Sequence, residues 1–342
     1  METNALNRLS LIKTETFMID MKTTFARLTL RSPLIVSSSG LTNTAEKNKK
    51  LSDAGAGAIV LKSLFEEQIL MEADQMRDPS YYPEGNEYID DYIRAHKLNE
   101  YLSLIRESKQ RCDIPIIASI NCYTDSEWVD FAKQMEEAGA DALELNILAL
   151  QADADYVHGS FEQRHIDILR HVKQVVRIPI IMKLGDNLTN PVALINQLYA
   201  NGAAAVVLFN RFYQPDIDID KLQHSSGEVF SHPSELSRSL RWVGIASAAV
   251  PRIDYALSGG VGEPAAMVKA LLAGATAVEV CSAIYHDRNF IGRCNDYLAG
   301  WMEEKGFETI DSFKGRLNAA SVTGVNTFER TQFLKYFAGR QD

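Results

Sequence analysis

Short apolar runs alternate along the chain with longer stretches whose apolar residues recur at helical spacing. Four of the runs share one motif: Ala54-Gly-Ala-Gly-Ala-Ile-Val-Leu61, Ala138-Gly-Ala-Asp-Ala-Leu-Glu-Leu145, Asn201-Gly-Ala-Ala-Ala-Val-Val-Leu208 and Ala273-Gly-Ala-Thr-Ala-Val-Glu-Val280. Each reads as a helix end, a glycine stop and a short buried strand. Between them stands a second set, in which Pro33, Pro115, Pro179 and Pro251 precede apolar runs. Proline suits the first residue of a strand, where no ladder donor is needed. Interleaved, the two sets predict eight strands, starting near Leu34, Ala58, Ile116, Ala142, Ile180, Ala205, Asp254 and Ala277. Helical patterns fill the gaps; after Asp125, for example, Trp128, Phe131, Ala132 and Met135 recur with charged residues between them.

Strand and helix alternating eight times is the signature of a closed parallel (β/α)₈ barrel, a single α/β TIM barrel. A doubly wound sheet is the alternative, but an open sheet has no reason to repeat a two-unit module four times. The odd units are minimal, and the extra chain follows strands 2, 4 and 6, in loops leaving from Lys62, Asn146 and Asn210. All three leave the carboxyl end of the barrel, where such enzymes carry their active sites, so the insertions read as lids. The barrel is assigned to residues 21–342, with residues 1–20 as an N-terminal extension.

Charge narrows the function. Against 45 Asp and Glu the chain has 35 Lys and Arg, a net charge of −10, with no basic cluster to meet a phosphate backbone. A nucleic-acid partner is therefore not expected. No apolar run approaches the roughly 20 residues that cross a bilayer, and the first twenty residues lack the apolar core of a signal peptide, so a cytoplasmic protein without a membrane partner is expected. Cys112, Cys122, Cys281 and Cys294 show no C-x-x-C spacing, which signals neither a disulfide framework nor a metal centre.

Where the strands end, the chain places Ser37-Ser38-Ser39-Gly40, Lys62-Ser63, Asn121-Cys122, Glu144-Leu-Asn146, Lys183, Asn210-Arg211, Ser258-Gly259-Gly260 and Cys281-Ser282. A hydrolase would want a carboxylate pair, and a metal site several His, Asp or Glu. Lysines, asparagines, small hydroxyls and glycines instead suit a planar, carbonyl-rich heterocycle and a phosphate. Gly259 and Gly260, running into a helix near Glu263-Pro264, together with Cys281 and Ser282, form the strand 7/8 region where this fold holds phosphate. Glu144 and Asn146 share the inward face of strand 4, and Glu144 reads as a buried partner for a lysine.

The runs Met21-Lys-Thr-Thr-Phe-Ala, Ser38-Ser39-Gly40, Ile59-Val-Leu-Lys62-Ser63, Glu144-Leu-Asn146, Met182-Lys183-Leu184, Ser258-Gly-Gly-Val261 and Glu279-Val-Cys-Ser-Ala283 resemble the class 1 dihydroorotate dehydrogenases. The likeness spans about Met21 to Gly315, and Ala118 to Asn146 is also similar to the pyrimidine-reducing domain of dihydropyrimidine dehydrogenase. It implies an FMN-dependent, homodimeric oxidoreductase of pyrimidine metabolism acting on a small cyclic substrate. By the same likeness Ser38, Ser39, Gly40, Ser63, Asn121 and Ser258 would line the flavin, with Lys62 and Lys183 facing its ring to stabilise negative charge. Gly259, Gly260, Cys281 and Ser282 would take the FMN phosphate, and Asn146 and Asn210 the substrate amides and carbonyls.

Three departures stand beside the matches. After the strand 4 asparagine the family reads Ser-Cys-Pro-Asn, with the cysteine as general base; here Ile147-Leu148-Ala149-Leu150-Gln151 follows, and alanine takes no proton. The Gly-Leu-Pro-Asn element of the strand 2 loop is replaced by Ser80-Tyr-Tyr-Pro-Glu-Gly85, and after strand 6 stands Arg211-Phe-Tyr-Gln-Pro215. The flavin half is kept and the substrate half rewritten. Replacement bases are His158 first, then Tyr156, His165 and Cys122, and Arg211 is a candidate clamp for a substrate carboxylate. Two other readings stay open: an FMN-binding paralogue with another substrate or lost catalysis, and an aldolase-type barrel with Lys62 or Lys183 as Schiff base.

Overall fold

The computed structural model describes residues 19–65, 71, 83–121 and 128–321. Its eight barrel strands are β1 (Leu34–Val36), β2 (Ala58–Val60), β3 (Ile116–Asn121), β4 (Ala142–Ile147), β5 (Ile180–Leu184), β6 (Ala205–Leu208), β7 (Asp254–Ser258) and β8 (Ala277–Val280). All pair in parallel with their sequence neighbours, and β8 closes on β1 through Val278 opposite Leu34 and Val280 opposite Val36. The barrel is therefore closed, and all eight strands start where the repeat predicts. Around it run α1 (Ala45–Asp53), α2 (Pro83–Arg111), α3 (Trp128–Glu137), α4 (Ser160–Val175), α5 (Pro191–Ala200), α6 (Leu236–Ala249), α7 (Pro264–Ala273), α8 (Ser282–His286) and α9 (Phe290–Lys305).

The two sequence motifs have separate physical causes. In the Ala-Gly-Ala units, Gly55, Gly139, Gly202 and Gly274 all take φ between +94° and +112°, so the chain leaves each helix through a left-handed residue that suits glycine. Pro33, Pro115 and Pro179 have no N–H to lose, yet their carbonyls accept ladder bonds from Val278, Ile59 and Leu143 at 2.8, 3.1 and 2.9 Å. Pro251 departs from the pattern: it lies in the turn after α6, and β7 begins three residues later.

Side-chain alternation sorts the barrel into layers. Leu34, Val36, Ile59, Leu143 and Leu145 face outward into the helix layer. Ile35, Ala58, Val60, Ile117, Ala142, Ile181, Ala205, Val207, Ala256 and Ala277 face inward as an apolar floor. A hairpin, Thr23–Phe25 with Leu28–Leu30, plugs that floor from below with Phe25, Ala26 and Leu30, all fully buried. Asp254 Oδ2 accepts from the Ala26 N–H at 2.9 Å, and the Thr23 hydroxyl donates to the Thr276 carbonyl at 3.3 Å, tying the plug to the last two strands.

The extra chain differs from unit to unit. After β2, residues 66–82 lie, except for Met71, outside the described residues, and the 29-residue α2 follows. After β4 comes an irregular stretch to Gly159. After β6 an exposed hairpin forms from Pro215–Asp218 and Gln223–Ser226, then a short 3₁₀ turn at Pro233–Glu235. The assigned extension lies, apart from Ile19 and Asp20, outside the described residues.

Candidate functional site

One step above the apolar floor the inward positions turn polar. Ser37, Lys62, Ser119, Glu144, Lys183, Ser258 and Glu279 occupy them, two residues beyond Ile35, Val60, Ile117, Ala142, Ile181, Ala256 and Ala277 respectively. A cleft of about 490 Å³ opens over this layer, lined by Ser38, Ser39, Gly40, Lys62 and Phe65 on one side and Ser258, Gly259, Cys281, Ser282 and Tyr285 on the other. Phe209, Asn210, Arg211, Tyr213 and Phe230 complete its wall from the segment after β6. An adjoining cavity of about 540 Å³ shares Asn210, Arg211 and Gly259 and ends at the Arg238–Asp186 ion pair, so the space suits an elongated ligand.

The two lysines are not equivalent. Lys183 is 5% exposed, and its Nζ lies 2.6 Å from Glu279 Oε2, donates to the Ser37 hydroxyl at 2.9 Å, and stands 3.7 Å from Glu144 Oε1. Burial works against its charge, but Glu144 and Glu279 outweigh it and hold the ammonium protonated beyond the usual lysine range. The expected Glu144 partnership exists, but Glu279 is the closer partner. The Lys62 ammonium makes no hydrogen bond or ion pair with any described residue and faces the cleft.

Glu144 and Glu279 are fully or almost fully buried, and both face the Lys183 ammonium. Burial, and then the Glu279 charge, push the Glu144 carboxyl well above the carboxylate range. Burial pushes Glu279 the same way, but Lys183 and the hydrogen bonds from Glu144, Lys183 and Ser37 prevail and hold it low. From Glu144 a line of hydroxyls leads upward: Ser119 Oγ to Glu144 Oε1 at 3.5 Å, Ser63 Oγ to Ser119 Oγ at 2.8 Å, and Ser38 Oγ to Ser63 Oγ at 2.9 Å.

Other predicted positions sort by geometry. Ser63 is buried behind Ser38, and Asn121, Asn146 and Lys183 sit side by side in register across β3, β4 and β5. The Asn210 amide donates to the Asn146 side-chain oxygen at 2.9 Å, so the two candidate substrate ligands are joined. Gly259, at φ +88°, presents bare backbone to the cleft. Gly260 answers to packing instead: a Cβ there would stand 2.2 Å from the Leu236 nitrogen. The Ser282 hydroxyl accepts from the Ser231 N–H at 3.0 Å, bracing the segment after β6. Burial raises the Cys281 thiol.

Three expectations need correction and a fourth falls outside. His158 is exposed, with its ring edge on Tyr156, and does not line the cleft, because the irregular stretch after β4 carries it into solvent. His165 is wholly buried in α4, Nδ1 2.7 Å from the Phe161 carbonyl, and burial lowers its proton affinity. The Arg211 guanidinium is already taken, by Glu235 at 3.0 Å and by the Glu228 and Val229 carbonyls at 2.8 Å each, so it straps its own segment rather than standing open for a carboxylate. Cys122 lies outside the described residues. Among the described residues no group of three or more His, Cys, Asp or Glu could hold a metal ion, and no helix is long and apolar enough to cross a membrane.

Sequence reasoning missed Glu279, Tyr285 and Phe230. Inward alternation from Ala277 would have found Glu279; Phe230 and Tyr285, whose ring centroids lie 5.4 Å apart, come from the segment after β6 and from α8 and leave no local signal.

The profile of the family described as Dihydroorotate dehydrogenase matches residues 20–302. Among curated relatives, the dihydroorotate dehydrogenase B (NAD(+)) catalytic subunit of Thermoplasma volcanium is 28% identical over 319 residues, 87% of this chain and 98% of that protein. The proteins of the same name from Methanocella arvoryzae and Thermoplasma acidophilum are 29% and 26% identical, over 82% and 87% of this chain and 92% and 99% of theirs.

Proposed function

The chain belongs to the dihydroorotate dehydrogenase family, and from that premise we propose that it is an FMN-dependent oxidoreductase that oxidises the CH–CH bond of dihydroorotate or a related dihydropyrimidine-like ring. The observation that carries the reading is the convergence of Ser38, Lys62, Gly259 and Cys281 on one cleft above a polar barrel layer.

The donor set fits FMN. Gly40 and Gly259 let a ring and its side chain approach the backbone, and Phe65, Phe209, Phe230 and Tyr285 supply flat apolar wall. FMN supplies hydride-accepting chemistry when bound. Lys62, whose ammonium pairs with no described residue, offers its positive charge to an electron-rich ring, whereas Lys183, neutralised by Glu279, positions the carboxylates beneath. The joined Asn146 and Asn210 amides offer donors and acceptors to substrate carbonyls and N–H groups. The 2.6 Å ion pair with Glu279 speaks against a Schiff base on Lys183, since only a neutral amine attacks a carbonyl.

The rewritten stretch after β4 favours one variant of this reading, a ring other than dihydroorotate. The Ala149 carbonyl accepts from the Asn187 amide at 2.9 Å, and Leu148 and Phe212 close over Gly185, so this stretch is pinned and carries no group that takes a proton. The deciding experiment is the anaerobic visible spectrum of the purified protein before and after dihydroorotate. Bleaching of the flavin band establishes the activity. A yellow band that dithionite bleaches but dihydroorotate does not selects the other ring, and a colourless protein refutes the reading. The family likeness also supports a cytoplasmic homodimer, which light scattering checks, and the relatives' names point to NAD(+) as acceptor.

A further inference from the structure

Two buried carboxyl oxygens, Glu144 Oε2 and Glu279 Oε1, have no donor. The remaining oxygen of each is used: Glu144 Oε1 receives Ser119, and Glu279 Oε2 receives Lys183 and Ser37. Both carboxyls face the one Lys183 ammonium, at 3.7 and 2.6 Å, and the orphan oxygens are accounted for if one proton is shared between them. That proton also balances the charge, because two carboxylates facing one ammonium would leave a net negative charge in a dry barrel. Cys281 and Tyr101 are the other titratable groups against this cluster; the Tyr101 hydroxyl donates to the Ser119 carbonyl at 3.2 Å and accepts from its N–H at 2.8 Å, and the Cys281 thiol makes no hydrogen bond to either carboxyl. Neither supplies the missing donor.

We propose that the Glu144–Glu279 pair is the proton-holding group of the cleft, exchanging its proton with bound substrate through Ser119, Ser63 and Ser38. The relay balances. When the ring takes up a proton, Ser38 Oγ gives its hydrogen and receives that of Ser63, Ser63 receives that of Ser119, and Ser119 receives from Glu144 Oε1 the one proton the pair holds. Each serine loses and gains one hydrogen, and only the carboxyl pair changes charge. Reversal, when a ring releases a proton, refills the pair. Of the pair, Glu279 borders the cleft and Glu144 does not, and Ser38 borders it too, so the serines are the path that joins Glu144 to the ligand. This places proton exchange on the barrel floor side of the ligand. It rests on the oxidoreductase reading only for what the proton is used for.

The test is the infrared spectrum of the full-length protein near neutral pH, in H₂O and after transfer to D₂O. A carbonyl-stretch band of a buried protonated carboxyl is expected, shifting on deuteration, and lost in both Glu144→Gln and Glu279→Gln, since either change leaves Lys183 one ionised partner. Ser63→Ala is expected to keep the band while slowing its deuteration about tenfold, the loss of one hydrogen bond from the path. Absence of the band, or its survival in both glutamine variants, overturns the shared proton; unaltered exchange in Ser63→Ala overturns the relay. Should the glutamine variants fail to fold, the native band and Ser63→Ala decide alone. Dihydroorotate turnover enters none of these readouts, so the failure of either idea is separately visible.

Discussion

Lys183 Nζ and Glu279 Oε2 stand 2.6 Å apart across the barrel, from β5 and from the end of β8, with Glu144 close enough to share the lysine. Removing the cation while leaving both acids buried forces at least one further proton into the core. Lys183→Met is therefore expected to destabilise the fold by about 3–5 kcal/mol near neutral pH. Much of the loss should return on acidification, as Glu279 becomes neutral. Urea unfolding at acidic and neutral pH reads both parts.

Glu144 sets a second pH dependence. The folded protein keeps this proton to higher pH than the unfolded chain does, so its contribution is full below the ordinary glutamate value of about 4.3 and is lost as pH rises through the raised native value, by up to about 1.4 kcal/mol per pH unit. Glu279 acts in the opposite sense: its contribution is present above the ordinary value and lost as pH falls through its depressed one. Glu144→Gln removes only the first slope. The difference in unfolding midpoint between variant and parent should move in the variant's favour from about pH 5 to pH 8.

Lys62 tests binding apart from folding. Since its ammonium touches no described partner, Lys62→Met should change stability by no more than about 0.5 kcal/mol. FMN affinity should fall about tenfold, the worth of roughly 1.4 kcal/mol of lost charge interaction. Flavin fluorescence titration and urea unfolding of the same preparation separate the two effects.

The strap made by Arg211 predicts a local change. Arg211→Ala frees Glu235 and two carbonyls, so limited proteolysis should cut within residues 209–235 faster while the barrel unfolds at its usual midpoint. Lysine cannot reproduce the forked contact, and Arg211→Lys should be cut almost as readily.

Arg27 sits exposed in the hairpin turn at φ +64°, where a side chain costs about 1 kcal/mol. Arg27→Gly should stabilise by about that amount. Phe25→Ala, which empties the barrel floor, should cost about 3–5 kcal/mol. Thermal or urea midpoints check both.

The strands were legible because their signals are local: a left-handed glycine such as Gly55 closes one element and a proline such as Pro33 opens the next. Ser38, Lys62, Gly259 and Cys281 were legible as strand ends, since a barrel converts that position into a place around one mouth. What failed was pairing across space. Nothing near Arg211 names Glu235, 24 residues on, as its partner, and nothing near Lys183 distinguishes Glu279 from Glu144. His158 misled because a histidine's chemistry is visible in sequence while the direction of an irregular loop is not.

The plug of Thr23–Leu30 is anchored by Asp254 and Thr276. During synthesis that hairpin leaves the ribosome before any barrel strand, yet its two ties are made by residues translated more than two hundred positions later. The segment is thus made first and seated last. Its apolar face, Phe25 and Leu30, has no floor to enter until the seventh and eighth strands arrive, which makes the nascent chain's exposure to chaperones and to aggregation a matter of how fast the final quarter is delivered.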